Sequence, residues 1–211
     1  MTRTLPGLAL VLLASLILAA DWPQFLGPNR ESVSPDTITP WTGDLKPAWK
    51  ADVGEAHSSP VVAGGAVYVF YKLKGKDAEA LAAFDAKTGD KKWEKSYDRD
   101  KFFSPFGNGP QGTPTVAGRK VYTYGSTGVL TAWDAKSGDI LWSVNAKKDF
   151  KAPSLMFGVA TSPTVVGNKV VIMVGAKGAG IVAFDAATGK VAWQATDDPA
   201  SSDKVVPVAS E

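Results

Sequence analysis

Short apolar stretches alternate with turn residues along this chain, and one ordered set of them recurs three times. The first set is Ser59-Pro60-Val61-Val62, the turn 63–65, Ala66-Val67-Tyr68-Val69-Phe70-Tyr71, and Ala83-Phe84-Asp85 leading to Trp93. The second is Thr113-Pro114-Thr115-Val116, a turn at 117–120, Val121-Tyr122-Thr123-Tyr124, and Ala132-Trp133-Asp134 leading to Trp142. The third is Ser162-Pro163-Thr164-Val165-Val166, a turn at 167–169, Val170 to Val174, and Ala183-Phe184-Asp185 leading to Trp193. β-Branched and aromatic residues bounded by Gly, Pro and Asn predict four short antiparallel strands in each set. The tryptophans stand 49 and then 51 residues apart. A period in that range marks a propeller or solenoid, and four-stranded units are propeller blades.

Within each set one segment keeps its internal spacing: Ala83, Asp85, Gly89, Trp93; Ala132, Asp134, Gly138, Trp142; Ala183, Asp185, Gly189, Trp193. An Asp at the end of a strand accepts hydrogen bonds from backbone N–H groups two or three residues on. The Gly supplies the positive φ with which a bulged hairpin closes. The Trp that follows offers a flat surface for the neighbouring unit to cover. Trp93 and Trp142 are therefore expected to be covered, and Trp193 to be more exposed.

The division of the chain follows. Residues 1–20 hold Arg3, no acid, and an apolar run from Leu8 to Ala20 broken only by Ser15. This has the form of a signal peptide, although Leu18 is not the small residue preferred three before the cut, and an uncleaved anchor is the alternative. Residues 21–46 lack periodicity and predict an extended arm pinned by Trp22 and Trp41. Residues 47–56, containing Pro47-Ala48-Trp49-Lys50-Ala51-Asp52-Val53, resemble an outer strand without its blade, a closure strand for a missing last blade. Blades are expected at 57–95, 96–144 and 145–195, and 196–211 as a truncated start of the next blade or a disordered tail. Three blades do not close a ring, so the expected architecture is an all-β, open-arc β-propeller, the N-terminal fragment of a longer one. Its unfilled edges predict association and low stability.

Composition narrows the function. Twenty-one Gly, 14 Pro and 7 Trp suit a turn-rich β domain. The formal charge is +2, and without Arg3 there remain 22 basic residues against 21 acidic. That balance leaves no electrostatic footprint for nucleic acid. The absence of Cys excludes a lipid-anchored mature N-terminus, disulfides and covalently attached haem. His57 is the only His, so no zinc site of His and Cys can be built. His57 beside Ser58 is no catalytic pair, since adjacent strand residues face opposite ways, and His57 is expected to open the inner strand of the first blade. Gly107-Asn108-Gly109-Pro110-Gln111-Gly112 matches a dinucleotide fingerprint, but a strand follows it where a helix is required. Gly175 to Gly180 joins two strands and reads as a hairpin loop.

Ala-x-Asp-x-x-(Thr/Ser)-Gly-x-x-x-Trp after (Ser/Thr)-Pro-x-Val resembles the repeat of the pyrroloquinoline-quinone-like β-propellers. Asp21-Trp22-Pro23-Gln24-Phe25-Leu26-Gly27-Pro28-Asn29-Arg30 is similar to the start of exported members. The group includes quinoprotein alcohol dehydrogenases and non-enzymatic relatives such as the scaffold lipoprotein of the bacterial outer-membrane assembly machine. The resemblance covers about residues 21 to 201. It implies an exported, periplasmic or secreted protein whose partners are other envelope proteins or a small-molecule ligand. It also implies two readings: a binding scaffold, or part of a dehydrogenase holding pyrroloquinoline quinone with calcium. The adjacent cysteines common in the enzymes are absent, Asp98, Asp100, Asn108 and Gln111 match no family ligand motif, and no catalytic or metal residue can be named. Fold alone does not decide between the readings.

The connections 95–111, 145–160, 72–79, 125–128 and 175–180 fall on one face of such an arc and are longer than the opposite turns. Phe102, Phe103, Phe106, Asn108, Gln111, Met156 and Phe157 lie on them and are the candidate binding face. The alternative is that these aromatics only pack over the blade tops.

Overall fold

The computed structural model describes residues 20–199. The predicted signal peptide, Ala20 apart, and the tail from residue 200 lie outside the described residues. Twelve strands among them form three sheets. The first contains β1 (Val61–Ala63), β2 (Ala66–Lys72), β3 (Ala78–Asp85) and β4 (Lys91–Asp98). The second contains β5 (Thr115–Ala117), β6 (Lys120–Tyr124), β7 (Val129–Asp134) and β8 (Ile140–Asn145). A one-turn helix, α1 (Ala146–Asp149), precedes the third: β9 (Thr164–Val166), β10 (Lys169–Ala176), β11 (Ala179–Asp185) and β12 (Val191–Ala195). Every sheet is an antiparallel meander in chain order. The innermost strands β1, β5 and β9 lie beside one another. β4, β8 and β12 have no buried residue. The described residues therefore make three blades of a β-propeller as an open arc.

Burial lies between blades. Val61, Phe70, Leu81, Val121 and Trp133 pack between the first and second, and Tyr122, Leu130, Ile172 and Phe184 between the second and third. Each such apolar side chain contributes about 1.5–3 kcal/mol. Trp133 is fully buried, and its indole N–H is satisfied by the Thr123 hydroxyl at 2.9 Å.

The repeated turns share one geometry. Asp85 Oδ1 accepts from the N–H groups of Lys87 and Thr88 at 3.0 and 3.1 Å. Asp134 does so from Lys136 and Ser137, and Asp185 from Ala187 and Thr188. Gly89, Gly138 and Gly189 have φ of +79°, +76° and +71°. Each ladder shifts register at the same place, between Ala83 and Phe84, Ala132 and Trp133, and Ala183 and Phe184.

Each Trp docks on the turn of the next unit. Trp93 donates to the Ala135 carbonyl at 3.2 Å, and Trp142 to that of Ala186 at 3.3 Å. Their rings lie so close to Gly138 and Gly189 that a Cβ there would meet them at 2.5 and 2.7 Å. Trp49 repeats the contact on the first blade, donating to Ala86 at 3.1 Å and lying against Gly89. Residues 47–53 nevertheless pair with no strand among the described residues. Trp193 meets no such turn among them and is 42 % exposed.

The Asp carboxyls register these contacts. The Lys92 ammonium first, and then the Thr88 and Lys87 N–H groups, hold Asp85 down to about 2. Thr188 and Ser137 are the leading partners that lower Asp185 and Asp134. A depressed carboxyl contributes stability above its unfolded value, lost as pH falls through the folded one. The Thr88 amide resonance is therefore expected to move in acid between about pH 4 and 2, readable by NMR titration.

Four features depart from expectation. β2 and β3 run further than their sequence pattern indicates, so the connection placed at 72–79 shortens to 73–77. Segment 145–160 includes α1, capped by the Asn145 side chain accepting from Lys148 N–H at 3.0 Å. His57 does not open a strand: β1 starts at Val61, and the His57 N–H is drawn to the Pro110 carbonyl at 3.0 Å. Trp41 is 59 % exposed and makes no hydrogen bond or ring contact among the described residues.

What secures the arm is the inner edge of the arc. Trp22 exchanges both backbone bonds with Val62 in β1, the Pro23 carbonyl accepts from Val116 in β5, and Arg30 donates to the Val165 carbonyl in β9. The arm thus crosses all three blades where strand edges would otherwise be unpaired. Deleting residues 21–32 is expected to speed hydrogen exchange of the Val62 and Val116 amides, each losing a bond worth about 1 kcal/mol.

Candidate functional site

The connections 99–114 and 146–163, with the turns 73–77 and 125–128, gather at one end of the blades. Beneath them is a buried polar cluster. Glu79, at the start of β3, and the Arg99 side chain have no exposure and meet at 2.8 Å. Tyr97 donates to the other Glu79 oxygen at 2.6 Å. Glu79 Oε1 also accepts from the Ser126 N–H of the second blade at 3.0 Å, and Arg99 donates to the Asn108 carbonyl at 2.8 Å. One carboxylate thus ties the first blade to the second and to the connection 99–114. Burial, then the Glu79 charge, pushes the Tyr97 phenol well above its ordinary range. Gly125 faces Glu79 Oε2 so closely that no Cβ fits. Arg99 Nε is buried without a hydrogen-bond partner among the described residues.

Over this cluster stand the predicted face residues. Phe102 lies under the Arg99 guanidinium, 5.6 Å from ring centroid to carbon. Phe106 and Phe157, from two different connections, are in tilted ring contact at 5.4 Å. Gln111 donates to the Phe157 carbonyl at 2.6 Å and ties those connections together. Phe103, Phe106, Met156 and Phe157 are exposed by 79, 74, 73 and 47 %. Asn108 turns inward, its side chain accepting from Ser104 N–H at 3.0 Å and its own N–H donating to Glu55 at 2.6 Å. The structure thus brings together Phe106, Gln111 and Phe157, sets Phe102 deeper, and uses Asn108 to fold its own loop.

The oxygen donors considered for a metal do not converge. Asp98 ends β4 opposite Ala78, Asp100 pairs with Lys148 at 3.0 Å, and Asn108 and Gln111 are engaged as above. No group of three His, Asp or Glu side chains able to hold a metal ion occurs among the described residues. None of their helices is long and apolar enough to cross a membrane. The Glu79–Arg99 pair was missed in the sequence, although Glu79 stands among Ala78, Ala80 and Leu81, where an unpaired charge is costly.

Meandering four-stranded blades joined by docked tryptophans define a β-propeller repeat protein. A family model described as outer membrane protein assembly factor BamB matches residues 37–104 and 82–211, and the chain belongs to this pyrroloquinoline-quinone-like propeller repeat family. Among solved structures it is similar to the quinohemoprotein alcohol dehydrogenase of Comamonas testosteroni, at 26 % identity and a TM-score of 0.52 over 82 % of this chain and 26 % of that one. The quinohemoprotein alcohol dehydrogenase ADHIIG of Pseudomonas putida HK5 matches at 30 % identity and a TM-score of 0.48, over 70 % of this chain and 21 % of that one. BamB of Moraxella catarrhalis matches at 21 % and 0.43, over 62 % and 33 %. The chain therefore spans only about a fifth to a third of these proteins. No curated protein matches.

Proposed function

We propose that this chain is an exported propeller module that works by binding, its loop face meeting another envelope protein. The observation that supports this reading is the patch of Phe103, Phe106, Met156 and Phe157, large apolar side chains held out to solvent on a backbone tied down from below. Contiguous exposed apolar groups on a rigid scaffold mark interaction sites. A photoreactive residue at position 103 is expected to give a discrete adduct in envelope extracts. That adduct should vanish when Phe106→Ser and Phe157→Ser are combined, and one that persists unchanged counts against the reading.

The likeness to the Comamonas enzyme favours a second reading, in which the chain supplies part of a dehydrogenase using pyrroloquinoline quinone and calcium. The donors described above do not assemble a calcium site, so no catalytic step is assigned to these residues. Calorimetric titration of the quinone with Ca²⁺, followed by alcohol-dependent dye reduction, separates the two. No heat and no turnover is the result expected of this chain, whereas micromolar binding with turnover overturns the binding-module reading.

A further inference from the structure

We infer that a cleft between the second and third blades binds a small organic anion with an apolar body, a ring-bearing monocarboxylate. The cleft has a volume of about 320 Å³, at the lower end of the range for small-molecule sites. None of its lining residues lies on β1, β5 or β9, so it stands off the axis of the arc. Its walls come from residues 100–103, the 125–128 turn, the start of α1 and the connection 152–159.

The walls are fixed. Val159 N–H donates to the Ser126 carbonyl at 3.0 Å, Lys147 N–H to Gly128 at 3.4 Å, and Ala152 N–H to Lys147 at 2.9 Å. The Phe102 ring is held between the Arg99 guanidinium and Gly158, where an added Cβ would come within 2.8 Å of it. Phe102, Leu155, Val159 and Val174 give the cleft an apolar side. Such a preformed surface suits a ring better than a flexible chain, because the ring loses less freedom on binding.

The polar side selects the charge. Three charged residues line the cleft: Asp100, Lys101 and Lys147. Asp100 is already engaged by Lys148 at 3.0 Å. Lys101 and Lys147 have no carboxylate partner among the described residues. Thr127, also lining the cleft, is 4 % exposed and its hydroxyl is buried without a hydrogen-bond partner among the described residues. Two ammonium groups without a carboxylate partner among the described residues are the complement of a carboxylate. An inorganic anion would leave the apolar side uncovered, and a neutral ring would leave the lysines unused.

The test uses phenylacetate and its uncharged counterpart phenylacetamide as probes of the whole chain, by NMR shift mapping. Phenylacetate is expected to bind about tenfold more tightly than the amide, with shifts at 124–127, 147 and 152–159, and to weaken as salt is raised. Lys147→Met should remove most of that preference, and Lys101→Met is the second variant should the first fold poorly. Phe103 and Met156 of the docking patch also line the cleft, whereas Phe106 does not, so the Phe106→Ser variant should bind phenylacetate unchanged while weakening the adduct at position 103, which distinguishes the two proposals. Equal affinity for acid and amide, or shifts confined to other residues, overturns the proposal.

Discussion

Replacing Arg99 by Met is expected to lower the unfolding free energy by about 3–5 kcal/mol, measured by urea denaturation. The side chains of Arg99 and Glu79 are both completely inaccessible and 2.8 Å apart. Removing the cation leaves a carboxylate buried beside Tyr97 and the Ser126 N–H with no compensating charge, and strips the Asn108 carbonyl of its donor. Arg99→Lys should recover little. A single ammonium does not reproduce the guanidinium fork that reaches Glu79 and Asn108 from two nitrogens. Glu79→Gln keeps the shape but leaves the guanidinium buried and unneutralised, so it should also be costly. Because the cluster supports the connection 99–114, amides there should exchange faster in all three variants. A loss within experimental error would show that water reaches the pair.

The blades were legible because their pattern is local. A strand ending in Asp, a Gly four residues on and a Trp four further fix a bulged hairpin through bonds that span only a few residues. Three repetitions of it then fix the architecture. The functional end was less legible because its contacts are distant in sequence. Glu79 and Arg99 are twenty residues apart, and Phe106 meets Phe157 across an intervening blade. Glu79 did carry a signal: with a period of two it shares a strand face with Leu81 and Ala83. No pattern named its partner, because the connection holding Arg99 has no periodicity. The arm was opaque for the same reason, since its bonds to Val62 and Val116 are backbone contacts that carry no side-chain signal, and the Arg30 side chain reaches the Val165 carbonyl 135 residues away.

The tryptophans should divide by position. Trp93→Ala and Trp142→Ala are each expected to cost about 3 kcal/mol, the low end for a large aromatic because both rings are only half-buried. Each loses its bond to the next blade's turn and its contact with the turn glycine, as well as an aromatic neighbour, Tyr68 for Trp93 and Tyr122 for Trp142. Trp193→Ala, at 42 % exposure and with no turn to dock on among the described residues, should stay within about 0.5 kcal/mol. Trp49 is the informative case. It docks on Gly89 and Ala86 and stacks at 6.4 Å on Phe84, yet the segment around it pairs with no strand among the described residues. If docking alone gives these residues their worth, Trp49→Ala should cost as much as Trp93→Ala. A negligible loss at Trp49 would mean that the ring counts only when its own strand is anchored in a blade, as residues 47–53 are not anchored among the described residues.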